Sequence, residues 1–258
     1  MKTALKNFAL ESQPWFKTWF DTNWYQQLYA NRNEREAAGF LQKLVAELEL
    51  DSNSKVLDLG CGVGRHSKYL AGYGFNVTGF DLSVSSIREA KKLKSLKLRF
   101  LVHDMRINFG KEIFDAVFNL FTSFGYFNKE EENYQVIENM STSLKPGGLL
   151  VLDYLNVKYS DEQLVPLEER EIDGIRYNIT RWTDEKFFYK RIRIADGQLP
   201  VPIEYTEEVR RFRLEDFNQM FESNNFKKEA VYGDYRLNDY DENKSPRMIM
   251  LARKVSAT

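Results

Sequence analysis

The sequence is poor in the side chains that build disulfides and metal centres: Cys61 is its only cysteine, and His66 and His103 are its only histidines. A lone thiol excludes an internal disulfide, and neither histidine has a carboxylate at ligand spacing, so no metal site is expected. Net charge is also lacking. Lys and Arg (37) nearly balance Asp and Glu (38), which removes the broad positive field that draws in nucleic acid. Long apolar runs are missing too. Residues Met1–Phe8 are charged and aromatic, so neither a signal peptide nor a membrane span is expected, and the reading is a cytoplasmic protein. Repeats and low-complexity tracts are absent. Against these gaps stand 258 residues that are 43% hydrophobic and 14% aromatic, enough to bury a core as one domain or one domain with an appendage.

The most informative stretch is Lys55-Val56-Leu57-Asp58-Leu59-Gly60-Cys61-Gly62-Val63-Gly64-Arg65-His66-Ser67, an apolar strand running into three alternating glycines. Glycines let the backbone turn sharply and approach a ligand, and the following helix points its first amides at whatever binds. A dinucleotide fingerprint wants G-x-G-x-x-G. Here the sixth position is Arg65, and Asp58 precedes the glycines by two. A pyrophosphate favours amides without a nearby anion. A carboxylate at Asp58 suits a cationic ligand, such as one carrying an ammonium beside a sulfonium.

The block D-L-G-C-G-V-G resembles motif I of class I S-adenosylmethionine-dependent methyltransferases, and further matches follow in the family's order. Val77–Ser83 is similar to the second strand with its ribose-binding acid, Asp81; Leu101–Met105 to the third strand's end, with Asp104 facing the adenine amino group. Phe114–Phe121 is similar to the fourth strand, and Leu144–Val151 to the turn and fifth strand. The resemblance implies S-adenosyl-L-methionine as cofactor, held by Asp58, Gly60, Cys61, Gly62, Gly64, Arg65, Asp81, Leu82, Asp104, Met105, Asn119, Leu120 and Phe121. Tyr25 or Tyr29, in the stretch Trp24–Arg32, would close on the methionine moiety or belong to the core. Arg65 would reach the methionine carboxylate or the helix after the second strand. Cys61 would pack beneath the cofactor, with a nucleophilic role as the alternative.

The implied fold is α/β: a seven-stranded, mostly parallel Rossmann-like methyltransferase sheet with helices on both faces. Residues 1–50 read as a helical cap, with Trp15, Phe16, Trp19 and Phe20 at helical spacing and a second stripe from Phe40 to Leu48. Residues 51–156 and 213–258 form the methyltransferase core, with a helix from Leu214 and closing strands at Phe226–Tyr232 and Arg247–Arg253. Between them, 157–212 switches to period-two patterning and reads as an antiparallel insert of about three strands after the fifth core strand. At the carboxyl edge of the sheet it would act as a substrate lid.

Methyl transfer from a sulfonium needs nucleophile, methyl and sulfur held in line in a dry cavity, so positioning dominates. Tyr126, Asp153, Tyr154 and Asn156, just beyond the fourth and fifth strands, are the candidate catalytic residues. His66 and His103 fall inside cofactor motifs and would act as bases or simply pack. Nucleic-acid amino methylases of this fold carry prolines after the fourth-strand Asp or Asn; Asn119 is followed by Leu120 and Phe121 instead. The T-S-F-G-Y-F run resembles small-molecule members, which implies an amine nitrogen or a hydroxyl oxygen as acceptor. An RNA or protein methyltransferase is the alternative, supported by Lys190, Arg191 and Arg193. A non-catalytic cofactor-binding protein is a further one, opposed by intact Asp58, Asp81 and Asp104. Arg181, Arg211, Arg247, Glu204 and Glu207 either recognise a polar substrate or line a solvated strand face. The expected partner is a small-molecule substrate, with no nucleic acid or membrane and a monomer or homodimer as assembly.

Overall fold

The protein's structure, a computed structural model, describes residues 14–30, 34–93 and 95–255. Met1–Phe8, Asn31 and Arg32, on which expectations fell, lie outside the described residues. The chain opens with helices α1 (Trp15–Trp19), α2 (Asn23–Leu28) and α3 (Glu34–Glu47). It then alternates through β1 (Lys55–Leu59), α4 (Arg65–Gly72), β2 (Asn76–Asp81), α5 (Val84–Ala90), β3 (Leu98–Val102), β4 (Phe114–Asn119), α6 (Glu130–Ser143) and β5 (Leu144–Leu155). After α7 (Val157–Glu162) come four strands, β6 (Leu167–Ile172), β7 (Ile175–Thr183), β8 (Phe187–Ala195) and β9 (Ile203–Arg210). The chain closes with α8 (Leu214–Glu222), β10 (Phe226–Tyr232) and β11 (Arg247–Lys254).

The larger sheet has the order β10-β11-β5-β4-β1-β2-β3, parallel from β5 to β3, with β11 antiparallel to β5. Its central strands are apolar on both faces, as a covered parallel sheet requires. Leu57, Leu59, Val117 and Leu150 pack towards α6 and α8 against Val136, Met140, Phe217 and Phe221. Val56, Ala116, Phe118 and Val151 point the other way, onto Phe40, Leu41 and Leu44 of α3 and Leu70 of α4. Strand order reverses between β1 and β4, and in open α/β sheets ligands bind in the crevice at the carboxyl ends of such a pair. That crevice lies beyond Leu59 and Asn119.

The insert forms a second, four-stranded antiparallel sheet, β6-β7-β8-β9. One strand more is present than the sequence signalled, because β6 is largely exposed and carries no apolar face to read. Its helix α7 begins where the Asn156 side chain accepts from the Lys158 amide. Tyr177, Ile179, Ile192 and Ile194 turn inward and bury Trp19 and Leu28 of α1 and α2. The sheet therefore backs the N-terminal helices. Polar hooks fix the join: Trp19 donates to Glu207 (2.7 Å), Trp24 to Asp196 (3.0 Å) and Tyr177 to Gln27 (2.7 Å). On their other side the helices reach the core through Asp21, which accepts from the Ser83 hydroxyl and the Ser85 amide, each at 2.7 Å. Among the described residues no helix is long and apolar enough to cross a membrane.

Candidate active site

The glycine turn follows directly from β1. Amides of Gly60 and Cys61 both donate to the Phe80 carbonyl, at 2.8 and 2.9 Å, tying the turn to β2. Gly60 has φ +80°, and a Cβ there would sit 2.7 Å from that of Ser123, so close approach to the β4 loop demands glycine. Gly62 differs. Its φ is +54°, yet among the described residues a Cβ would meet no atom within 4 Å beyond its chain neighbours, and Gly62 lines the cavity. The turn is a cradle left for something other than protein.

Asp81, at the end of β2, locks that cradle. Its carboxylate accepts the Gly62 amide and the Ser83 amide, both at 2.8 Å. Burial raises its pKa, opposed by these amides. It lines a cavity of about 250 Å³ together with Gly60, Cys61, Gly62 and Arg65 from the turn, and Leu82, Asp104 and Met105 from the next two strands. The opposite boundary comes from the β4 loop, with Leu120, Phe121, Ser123, Tyr126 and Phe127. Phe16, Phe20, Tyr25 and Tyr29 complete it from the N-terminal helices. Their rings interlock, with Phe20 and Tyr25 centred 4.9 Å apart, Tyr25 and Tyr29 4.8 Å, and Phe20 and Tyr126 5.3 Å. Both histidines line the cavity, His66 stacked on Phe121 (4.7 Å) and His103 on Phe80 (4.8 Å). Asp104 is clasped by Arg106 at 2.7 Å; burial pushes its carboxyl up, but the guanidinium outweighs this and holds it below the usual range. Among the described residues no cluster of potential metal ligands forms.

Behind Tyr29 lies a half-buried polar chain. Lys190 and Glu207 face each other across β8 and β9. The Tyr29 hydroxyl accepts from Lys190 and donates to Glu207 at 2.7 Å. Burial lowers the Lys190 pKa.

Several expected residues stand elsewhere. Asp58 lies behind the turn, 1% exposed, with one oxygen accepting from the Ser67 hydroxyl (2.6 Å) and the other without a hydrogen-bond partner among the described residues. Burial, opposed by Ser67, pushes its pKa up to about 6. Gly64 faces the Phe100 ring, and Asn119 donates to the Leu59 carbonyl (2.9 Å), stapling β1 to β4; neither lines the cavity. Of the four candidate catalytic residues only Tyr126 does, its hydroxyl donating to the Thr122 carbonyl. Asp153 is wholly buried in an ion pair with Arg247 (2.7 Å). Tyr154 points to the other face and donates to the Arg210 carbonyl at 2.5 Å. Asn156 donates to the carbonyls of Ser245 and Glu242, at 2.7 and 2.8 Å. Among the described residues, none of 157–212 lines the cavity. Arg181 pairs with Glu168 and Arg211 with Asp161. Lys190 faces inward while Arg191 and Arg193 are exposed on the opposite face, so the three do not form one basic patch. Phe16 and Phe20, which aromatic spacing placed only in a core stripe, line the cavity, as do His66 and His103 of the cofactor motifs and Ser123 of the T-S-F-G-Y-F run.

A family model described as a methyltransferase domain matches residues 56–148. The putative methyltransferase YqeM of Bacillus subtilis (strain 168) is 28% identical over 203 residues, 73% of this chain and 80% of its own length. Several other curated relatives are matched over only about half of their length. Among solved structures, an S-adenosylmethionine-dependent methyltransferase from Clostridium acetobutylicum ATCC 824 superposes with a TM-score of 0.75 at 20% identity, covering 90% of this chain and 96% of that one. The SAM-bound amino pentose methyltransferase CalS10 of Micromonospora echinaspora gives 0.67 at 21% identity, with 91% and 98% covered. These likenesses agree with the glycine cradle, the acid at the end of β2 and the strand order. Residues 56–148 are a methyltransferase domain, set in the Rossmann-like fold of S-adenosylmethionine-dependent methyltransferases, and S-adenosylmethionine is the cofactor.

Proposed function

We propose that this enzyme methylates an amine nitrogen of a small molecule. The observation that carries the reading is the ring wall of Phe20, Tyr25, Tyr29 and Tyr126, which shares one cavity with the glycine cradle. Aromatic faces attract cations through their quadrupoles, and an alkylamine is a cation at neutral pH. The amino pentose methyltransferase of the same fold supports the same acceptor chemistry.

S-adenosylmethionine supplies an electrophilic methyl group on a sulfonium. Gly62 leaves room for it, and Asp81 sets the cradle's shape through the amide it holds. Phe121 and the aromatic wall exclude water from the reacting atoms. A protonated acceptor must lose an N–H proton before its lone pair can attack. Tyr29 provides the route: its oxygen takes the acceptor's proton as its own hydroxyl proton passes to the Glu207 oxygen at 2.7 Å. Lys190, donating to the same phenol, favours the oxygen's anionic character during that transfer.

The test is methyl transfer from radiolabelled S-adenosylmethionine to a panel of amines and matched alcohols, including amino sugars and their hydroxyl analogues. Amines are expected to be turned over and the alcohols not. Tyr29→Phe and Glu207→Gln should each lower turnover by about tenfold to a thousandfold and shift its pH profile, with S-adenosylhomocysteine affinity nearly unchanged. Turnover of alcohols alone refutes the amine reading, and wild-type rates in both variants refute the proton route.

A further inference from the structure

Immediately after β4 the backbone passes through two successive left-handed residues that are not glycine, Phe121 (φ +57°) and Thr122 (φ +58°). Such a pair is costly, and it persists only where the surroundings over-determine it. The over-determination comes from Asp153 of β5, Arg247 of β11 and Tyr235 of the connection between β10 and β11, none of which lines the cavity. One Asp153 oxygen accepts the Phe121 amide (2.7 Å) and the Tyr235 hydroxyl (3.2 Å). The other accepts from Arg247 (2.8 Å), whose guanidinium also donates to the Thr122 hydroxyl (2.8 Å). The Asp153 carbonyl takes the Thr122 amide at 3.1 Å.

What this cluster grips faces the ligand. The Phe121 ring lines the cavity and is sandwiched between His66, 4.7 Å away, and Tyr235, 4.8 Å away on the other face. The Thr122 carbonyl accepts the Tyr126 hydroxyl, so the same turn fixes a second cavity residue. For stability alone, an ion pair with a wholly buried Asp153 and an Arg247 side chain only 17% exposed is a poor choice, because apolar residues of similar volume commonly serve as well or better.

We infer that Asp153, Arg247 and Tyr235 are positioning residues of the methyl-transfer site, holding the Phe121–Thr122 turn left-handed so that the Phe121 ring and the Tyr126 phenol stand in the cavity wall. The inference rests on the cavity being the cofactor site and is independent of the acceptor's identity. It also explains why an acidic residue ends β5 without touching the cavity.

The chain's two histidines make the turn observable. His66 stacks on Phe121, whereas His103 stacks on Phe80 and serves as an internal control. In ¹³C-histidine-labelled full-length protein, Thr122→Val removes the hydroxyl held by Arg247 at constant shape. Tyr235→Phe removes one donor to Asp153, and Arg247→Lys keeps the charge while losing the fork. Each variant should shift the His66 ring signals and leave those of His103 in place, with thermal stability close to wild type for the first two. Affinity for S-adenosylhomocysteine, measured by calorimetry, should fall about tenfold in Arg247→Lys, the loss expected for one broken charge-assisted bond. If Arg247→Lys does not fold, Thr122→Val and Tyr235→Phe carry the test, with a smaller loss of affinity in the same direction. Unmoved His66 signals with wild-type affinity overturn the inference. So does a uniform shift of both histidines with lowered stability, which marks a merely structural role. A wild type that does not bind S-adenosylhomocysteine overturns the cofactor site itself, and the inference with it.

Discussion

Replacing Gly62 by alanine separates the cofactor cradle from the stability of the fold. At φ +54° an added Cβ raises the backbone energy by about 1–2 kcal/mol. Alanine also narrows the unfolded ensemble, which offsets roughly 0.4–1 kcal/mol. The net loss is about 0–1.6 kcal/mol, a fall in Tm of no more than roughly 6 °C for a chain of this size. Among the described residues no atom beyond its chain neighbours lies within 4 Å of the new methyl, so no clash adds to this. A matched control exists in Gly174, in the turn between β6 and β7, with φ +77° and equally open surroundings, which does not line the cavity. Gly62→Ala and Gly174→Ala should therefore lose similar small amounts of stability in a thermal melt. Only the first should lose affinity for S-adenosylhomocysteine by calorimetry, by about tenfold or more, or 1.4 kcal/mol, because its methyl enters the ligand's space. Wild-type affinity in Gly62→Ala refutes the cradle, and equal losses in both variants show that binding merely follows stability.

Two further outcomes follow from buried groups. The Asp58 carboxyl, pushed up to about 6 chiefly by burial, binds its proton more tightly in the folded chain than in the unfolded one. Its contribution therefore favours the fold at acid pH, declines as pH rises from about 4 to 6 and is flat above, a span of about 3 kcal/mol at most. Asp58→Asn removes that slope, and a wild-type-minus-variant stability difference that stays constant from pH 4 to 7, measured in urea, would contradict it. Replacing 167–210 with a short linker strips the backing from α1 and α2 and exposes Trp19 and Leu28. It should abolish S-adenosylhomocysteine binding as well as turnover, and a deletion variant that binds normally would show that the second sheet does not support the cavity.

What was legible in the sequence is what each residue's neighbours along the chain determine. The two-faced apolar runs of β1 and β4, the glycine spacing and the acid closing β2 are local patterns. They carry the parallel sheet and the cradle with them. Side chains at the end of β5 are decided otherwise. Asp153 and Tyr154 are adjacent and so point to opposite faces, and which face meets a ligand depends on strands 56 and 94 residues later. β11 returns antiparallel beside β5 and brings Arg247 onto Asp153; β9 brings the Arg210 carbonyl to Tyr154. Neither encounter leaves a trace in local spacing. The fourth strand also ends earlier than its apolar run, at Asn119, because Phe121 and Thr122 are drawn into left-handed geometry by that same distant Asp153.

The N-terminal aromatics show how one stripe serves two surfaces. Trp19 and Leu28 face the second sheet and are buried there, while Phe16, Phe20, Tyr25 and Tyr29 face the cavity. Helical spacing identifies the stripe but does not divide it. The division is imposed by the insert, whose inward Tyr177, Ile179, Ile192 and Ile194 claim one side and leave the other to the ligand. Period-two patterning revealed that the insert exists; it backs the helices that carry part of the cavity wall. Tyr29 is where the two layers meet, with its ring in the cavity wall and its hydroxyl between Lys190 and Glu207 of the second sheet. Through this residue the insert is hydrogen-bonded to the cavity wall.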